Sequence, residues 1–380
     1  MLRLHPWVFS GAISRRDDDI TDGEIVEVFD HQQQYLGTGH FHNSSISVRI
    51  FTFNREQPDT DFWRKKIADA CHFRYVMGLV DNPHTNMFRL VNGEGDGLPG
   101  LIIDWYDGNV VLQFHSYGMY LLKDTFVQIL QDLFGSRIRS VYNKSAATLP
   151  ELKGLHFTDQ FLEGSTDEVL VKENGHSFFV DIVRGQKTGF FIDQRDNRKL
   201  VGEHAAGKKV LNLFSYTGGF SVYALSGGAS EVHSVDISRK AVEVTDRNVQ
   251  LTGPKAELHH SFEENVFDFL DAMPADYYDL IILDPPAFAK HHKVKDQGAK
   301  GYRNINRKAM SKIKKGGLLF SFSCSQAISK DDFQTLLFSA AVMERREVKV
   351  IKHLQQSVDH AVNIYHPEGN YLKGFMLFVN

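Results

Sequence analysis

Two short stretches carry side chains that could do chemistry together. One is "SFSCSQ", Ser321 to Gln326, centred on Cys324, one of only two cysteines in 380 residues. The other is "DPPAF", Asp284 to Phe288. A thiolate is a potent nucleophile, and a nearby carboxyl group can stabilise charge on whatever it attacks. Carbon 5 of a pyrimidine is itself a weak nucleophile. A thiolate adding to C6 turns C5 into an enamine-like centre able to attack a methyl group on a positive sulfur. A carboxyl group hydrogen-bonded to ring N3 stabilises the charge that develops. A base then removes the C5 proton and the thiolate leaves, which is covalent catalysis through one activated nucleophile. A cysteine that closes an apolar strand is, taken alone, more often a small core filler. Ser323 and Ser325 on either side, and the position at a strand end, favour a working thiol.

The elements that position these residues follow from the pattern around them. "KKVLNLF", "EVHSVD", "AELHHS", "DLIILD" and "GLLFSFS" read as strands separated by helical segments. Apolar strands alternating with helices predict a parallel sheet covered on both faces. "EVKVIKHL" and "GFMLFV" have no helix-length segment between them and are expected to pair antiparallel at an edge. Upstream, "HSFFVDIV" and "TGFFID" are expected to form a hairpin leading to a polar helix, "QRDNRKLVGEHA". Ligands of open α/β sheets bind beyond the carboxyl ends of the strands, where "DPPAF" and "SFSCS" both lie. If the fourth and fifth strands are neighbours, ~4.8 Å apart, Asp284 and Cys324 face one pocket. Pro285 and Pro286 stiffen the first loop, and Phe288 offers a flat surface for stacking.

The first strand runs into "FSYTGGFSVYAL", Phe214 to Leu225, a glycine turn opening a helix. The nicotinamide fingerprint is absent, which disfavours an oxidoreductase. The next strand ends in Asp236, 18 residues past Gly218, where an acid can bind a ribose diol; the competing reading is a helix cap. Asn265, after the third strand, can accept from the exocyclic amine of adenine. From Ala289 to Lys315 there are ten lysines and arginines against one acid, Asp296, in a chain whose formal net charge is −4. This stretch lies between the two reactive loops. Lys290 and Arg303 within it are candidates for contacts to a phosphate backbone.

Residues 1–70 read as short strands, "GEIVEVFD" and "ISVRIFTF", with turn glycines in "GTGHF", followed by a helix carrying Cys71 on its packed face. Three short strands, a helix and a further strand, "IRSVYNK", fill the middle of the chain. No run of ~18 apolar residues predicts a membrane span. Two cysteines far apart make no disulfide framework, and a reducing cytoplasm is the simplest expectation. Composition leaves monomer and homodimer both open.

Taken together, "GQKTGFFIDQRDNR", "LNLFSYTGGFSVYA", "SVDISRKAVEVTDRN", "IILDPPAF" and "SFSCS" resemble the bacterial 23S ribosomal RNA cytosine-5 methyltransferases with an N-terminal PUA domain. "HPWVFSGAI" and "YLGTGHFHNSSISVRIF" resemble the PUA module, an RNA-binding β-barrel. The resemblance implies a Rossmann-like class I methyltransferase domain over 173–380, a central α+β domain over 71–172 and the PUA-like domain over 1–70. It implies S-adenosylmethionine as methyl donor and 23S rRNA, or a large-subunit precursor, as partner. On matching positions, Phe214, Ser215, Tyr216, Thr217, Gly218 and Ile237 would line the cofactor, Asp236 would hold its ribose and Asp284 would stand near its reactive end. The "DQR" run would close over it through Gln194 and Arg195, with Arg195 a candidate for the methionine carboxylate. Pro285, Pro286, Phe288, Lys290 and Arg303 would meet the substrate, and Cys324 matches the nucleophile.

Three departures stand out. Asn265 replaces an aspartate common in the family, the first PUA strand is expected to be short or missing, and "DPPAF" lacks the second cysteine that helps release product in other RNA cytosine-5 enzymes. Two competing functions remain at this stage: methylation of a base nitrogen, which needs no thiol, and a non-catalytic RNA-binding assembly factor with a vestigial cofactor site.

Overall fold

The computed structural model describes residues 4–289 and 292–380. The chain divides into two compact units. The first holds Met1–Gly175, Val180–Ile192 and Val358–Gly369; the second holds His176–Phe179, Asp193–Ser357 and Asn370–Asn380.

In the first unit, β1 (Trp7–Phe9), β2 (Ile25–Phe29), β3 (Tyr35–Phe41) and β4 (Ile46–Thr52) form an antiparallel sheet in the order β1-β4-β3-β2. The expected turn "GTGHF" is instead part of β3. Its glycines serve strand approach: a Cβ at Gly39 would stand 2.4 Å from the carbonyl oxygen of Arg49, beside a register shift in the β3–β4 pairing. The turn falls earlier, where Asp30 Oδ1 accepts the N–H groups of Gln32 and Gln34. Helix α1 (Thr60–Val76) starts at Asp59, whose side chain accepts from Phe62 N, and buries Trp63, Ile67 and Ala70. Phe51 of β4 meets Trp63 edge-on at 4.9 Å, so this sheet and α1 share a core. Cys71 packs half-buried on the same cluster, as expected.

A second sheet, β5 (Met87–Asn92), β6 (Leu101–Tyr106), β7 (Asn109–Phe114), β8 (Ser140–Asn143) and β9 (Gln160–Glu163), pairs in chain order. Helices α2 (Tyr117–Leu121) and α3 (Lys123–Phe134) add Met119, Phe126, Ile129 and Leu130 to its core. The late segment Val358–Gly369 joins this unit through Asp359. Its carbonyl accepts from the buried Arg74 guanidinium at 2.5 Å and its carboxylate from Arg89 N at 2.9 Å.

Strands β10 (Glu168–Glu173) and β11 (His176–Asp181) form a two-stranded ribbon. The expected hairpin between "HSFFVDIV" and "TGFFID" does not form. Asn174 and Gly175, with φ of 49° and 84°, meet the positive-φ demand of a tight hairpin turn and fold "HSFFVD" back onto the preceding strand.

The second unit is built on seven strands in the order β14-β13-β12-β15-β16-β18-β17. Strands β12 (Lys209–Leu213), β13 (Glu231–Asp236), β14 (His259–Glu263), β15 (Leu280–Leu283) and β16 (Gly317–Ser323) are parallel. Strand β14 starts later than "AELHHS" suggests, because Gly253–Leu258 winds into a 3₁₀ helix with a proline at its start. The terminal strands β17 (Val348–Leu354) and β18 (Lys373–Val379) pair antiparallel as expected, and β18 inserts between β16 and β17.

Helices α4 (Arg195–Glu203), α5 (Gly219–Ser226), α6 (Arg239–Gln250), α7 (Val266–Ala272), α8 (Lys295–Lys312) and α9 (Lys330–Glu344) complete the unit. Ser238 caps α6, and Ser329 with Asp332 forms a reciprocal capping box on α9. Four of the parallel strands, β12, β13, β15 and β16, present buried Leu211, Leu213, Val235, Ile281, Leu283 and Leu319 to one apolar core. Among the described residues, no helix is long and apolar enough to cross a membrane.

Gly39→Ala should lower unfolding stability by about 1–3 kcal/mol, the cost of forcing atoms into a packed backbone contact. Urea denaturation of the full chain measures it, with Gly11→Ala, which meets no atom within 4 Å, as the neutral comparison.

Candidate cofactor and reaction site

Strand order reverses between β12 and β15, the switch point at which open α/β sheets bind ligands. The loop after β12 is held in an unusual backbone shape. Phe214, Tyr216 and Gly218 have φ of 59°, 47° and 74°, and such clustered left-handed residues persist only where surroundings over-determine them. Here α6 does so: Thr245 Oγ1 donates to the Tyr216 carbonyl at 2.8 Å, and Asn248 Nδ2 donates to that of Thr217 at 2.9 Å. Gly218 is required twice over, because an added Cβ would also stand 2.7 Å from Thr245 Cγ2. The turn opens α5 with its N-terminus toward the loop.

Asp236 ends β13 and supports this loop. Its Oδ2 accepts from Tyr216 N and its Oδ1 from Ser238 N, both at 2.9 Å. Ser238, not Asp236, is the cap of α6, so the carboxylate orders the loop rather than the helix. Ile237 beside it is 69% exposed, an apolar face left open at this edge. Asn265 has another task than the one expected of its side-chain oxygen: Oδ1 accepts Phe267 N at 2.8 Å and caps α7.

Gln194 and Arg195 are both buried, at the start of α4. Gln194 Nε2 donates to Asp284 Oδ2 at 3.0 Å, while its oxygen accepts from Asn197 Nδ2 at 2.6 Å. The "DQR" run is thus tied to the "DPP" loop. Burial, then the neighbouring Asp193 carboxylate, push the Asp284 acid up to about 7; the Gln194 hydrogen bond and Arg198 only partly offset this. Asp284 is therefore poised between acid and carboxylate near neutrality.

The two reactive loops are joined. Ser325 Oγ accepts from Ala289 N at 3.0 Å and shares a 2.8 Å hydrogen bond with the Tyr302 hydroxyl. Cys324, half-buried, stands between fully buried Ser323 and Ser325. Pro285 is buried and Pro286 exposed. Phe288 is half-buried, its ring 4.7 Å from that of Tyr302 and against Gly301, so one part of the expected stacking surface is taken up by protein packing.

The basic stretch is less free than its composition suggests. Lys295, Arg307, Lys308 and Lys314 pair with Asp332, Glu344, Asp271 and Asp279. Arg303 lines an open cavity of about 490 Å³ with Lys300, Arg307, Phe267 and Met343, and is not among those ion pairs. Lys290 lies outside the described residues. Two residues at the site escaped the sequence reading. Tyr302 bridges the loops from α8, and Lys373 opens β18 directly opposite Ser323. A lysine at the head of an otherwise apolar strand was the available signal for the second.

Residues 157–361 match the S-adenosylmethionine-dependent methyltransferase family, and residues 1–53 match a PUA-like domain. The chain is 38% identical over 381 residues to a ribosomal RNA large subunit methyltransferase I of Erwinia tasmaniensis, covering 99% of this chain and 95% of that protein. It is 36% identical, with the same coverage, to the protein so named in Yersinia pseudotuberculosis. This chain belongs to that family of S-adenosylmethionine-dependent methyltransferases. A SAM-dependent methyltransferase from Streptococcus mutans shares the fold, with a TM-score of 0.84 at 23% identity over 98% of this chain and 95% of its own. So does a methyltransferase solved with SAH, at 0.85 and 24% over 99% and 96%.

The methyltransferase's own residues fit S-adenosylmethionine. Ser215 Oγ and Asp193 Oδ1 are buried with no hydrogen-bond partner among the described residues, as donors and acceptors awaiting a polar ligand are. The strained loop, Asp236 and exposed Ile237 line the same sheet edge.

The raised Asp284 acid costs the methyltransferase stability. A carboxyl group with a folded pKa above its unfolded value contributes fully below the unfolded value, and that contribution is lost as pH rises toward about 7. Asp284→Asn should therefore raise the melting temperature at pH 8 and change it much less at pH 4, as read by differential scanning calorimetry.

Proposed function

We propose that this methyltransferase acts on 23S rRNA, or a large-subunit precursor, and methylates C5 of a cytosine through a covalent adduct with Cys324. The observation that carries the reading is the joining of the Cys324 and Asp284 loops through Ser325, Ala289 and Tyr302. A base-nitrogen methyltransferase has no use for a thiol held there.

In this reading the Cys324 thiolate adds to C6, which makes C5 nucleophilic. Asp284, protonated in part near neutrality, hydrogen-bonds ring N3 and stabilises the adduct. S-adenosylmethionine supplies a methyl group on a positively charged sulfur. Loss of the C5 proton then expels Cys324 and restores the ring. Phe214, Ser215, Tyr216, Thr217, Gly218, Asp236, Ile237 and Asn265 hold the cofactor, with Gln194 and Arg195 behind it. Pro285, Pro286 and Phe288 border the base, and Lys290 and Arg303 meet phosphates. The segment 1–70 binds RNA and 71–172 links it to the catalytic segment 173–380. The setting is the cytoplasm.

Cys324→Ala should abolish methyl transfer while leaving S-adenosylmethionine affinity within about twofold, because the thiol acts on the base and not on the cofactor. Nucleoside mass spectrometry of ribosomal RNA treated with the wild type should show 5-methylcytidine. An N-methylated base, or a fully active Cys324→Ala enzyme, would overturn the assignment. Asp284→Asn should lower kcat by about 10²–10⁴-fold and remove the fall in rate as pH rises through about 7.

A further inference from the structure

The proposed nucleophile needs a source of activation, and β18 supplies a candidate. Lys373 opens this strand and pairs in register with Ser323, one residue before Cys324. It is 8% exposed, although lysine is almost never buried without a partner of opposite charge. No ion pair among the described residues takes it up. Its ammonium donates instead to the Ser325 carbonyl at 2.7 Å, one residue after Cys324. The strand register and this hydrogen bond therefore bracket the cysteine from both sides with one buried cation. Burial pulls the Lys373 ammonium below the ordinary lysine range, and negative charge on Cys324 pulls it back up.

Other titratable groups of the described residues flank this edge. Tyr302 from α8 is held as a neutral phenol, its acidity weakened by burial and by Cys324 itself. Asp284, at the end of β15 on the other side of β16, brings negative charge or none. Helix α9 opens with Lys330, Asp331 and Asp332, the last already paired with Lys295.

We propose that Lys373 holds Cys324 as a thiolate, which makes it the positioning residue for the nucleophile. The thiol proton leaves to water, the ammonium keeps its own, and the buried cation offsets the thiolate charge. This rests on the reading of Cys324 as nucleophile, but its test needs neither RNA nor methyl transfer.

The test is the pH dependence of Cys324 alkylation by iodoacetamide in the full chain, followed peptide by peptide so that Cys71 is separated. In the wild type the midpoint should lie below the ordinary thiol value of ~8.5. Lys373→Gln keeps a hydrogen-bond donor for the Ser325 carbonyl but removes the charge. Its midpoint should rise by about one unit or more, a roughly tenfold loss of thiolate at neutral pH. Lys373→Arg, which restores the cation, should keep the low midpoint. A wild-type midpoint at or above ~8.5, or equal midpoints for wild type and Lys373→Gln, would overturn the proposal. The wild-type measurement decides even if the glutamine variant does not fold. A normal thiol alongside an inactive Cys324→Ala enzyme would remove Lys373 from the mechanism and leave the nucleophile in place.

Discussion

Parallel pairing of β15 with β16, Leu283 opposite Ser321, is the constraint on which the reactive edge depends. It brings the loops that follow these strands to one edge of the sheet, although about 40 residues of chain separate them. Helix α8 occupies that interval and returns Tyr302 to the gap, where its hydroxyl bonds Ser325. The serine in turn receives Ala289 N from the proline loop. Cys324 cannot drift relative to Asp284 without breaking buried hydrogen bonds, each costly to leave unmade.

The same edge stores unfavourable energy. Three residues of the loop after β12 have positive φ, burial and then the Asp193 charge raise the Asp284 acid, and buried polar atoms at Ser215 and Asp193 lack partners among the described residues. The surrounding core sustains this: β12, β13, β15 and β16 supply fully buried aliphatic side chains immediately behind the loops. At this edge rigidity is placed in the sheet, and the positive-φ residues sit in the turn that follows β12.

Charge shows how composition and structure part company. The run from Ala289 to Lys315 carries ten cations. Four of them are engaged by carboxylates from α7, α9 and the segment before β15, residues that are distant in sequence. Lys300 and Arg303, outside those four pairs, line an open cavity. Local counting registers where cations lie, but their pairing is set by which acids the fold brings near.

The order of strands and helices in the second unit was legible in the sequence, because near-continuous apolar runs and glycine turns report local geometry directly. So were the strand ends at Asp236, Asp284 and Cys324. Short-range alternatives were harder to rank: Asn174-Gly175, not the later glycines, set the hairpin, and Gly39 serves a close strand contact that no local pattern announces. Asn265 could not be recognised as a helix cap without its helix. The sequence by itself determined which side chains are available for chemistry and on which strand ends they sit. Only the tertiary structure decided their partners: Gln194 on Asp284, Ser325 on Tyr302, and Lys373 opposite Ser323. Such contacts depend on strand order and long-range register, and these are fixed by packing across the whole core rather than by neighbours along the chain.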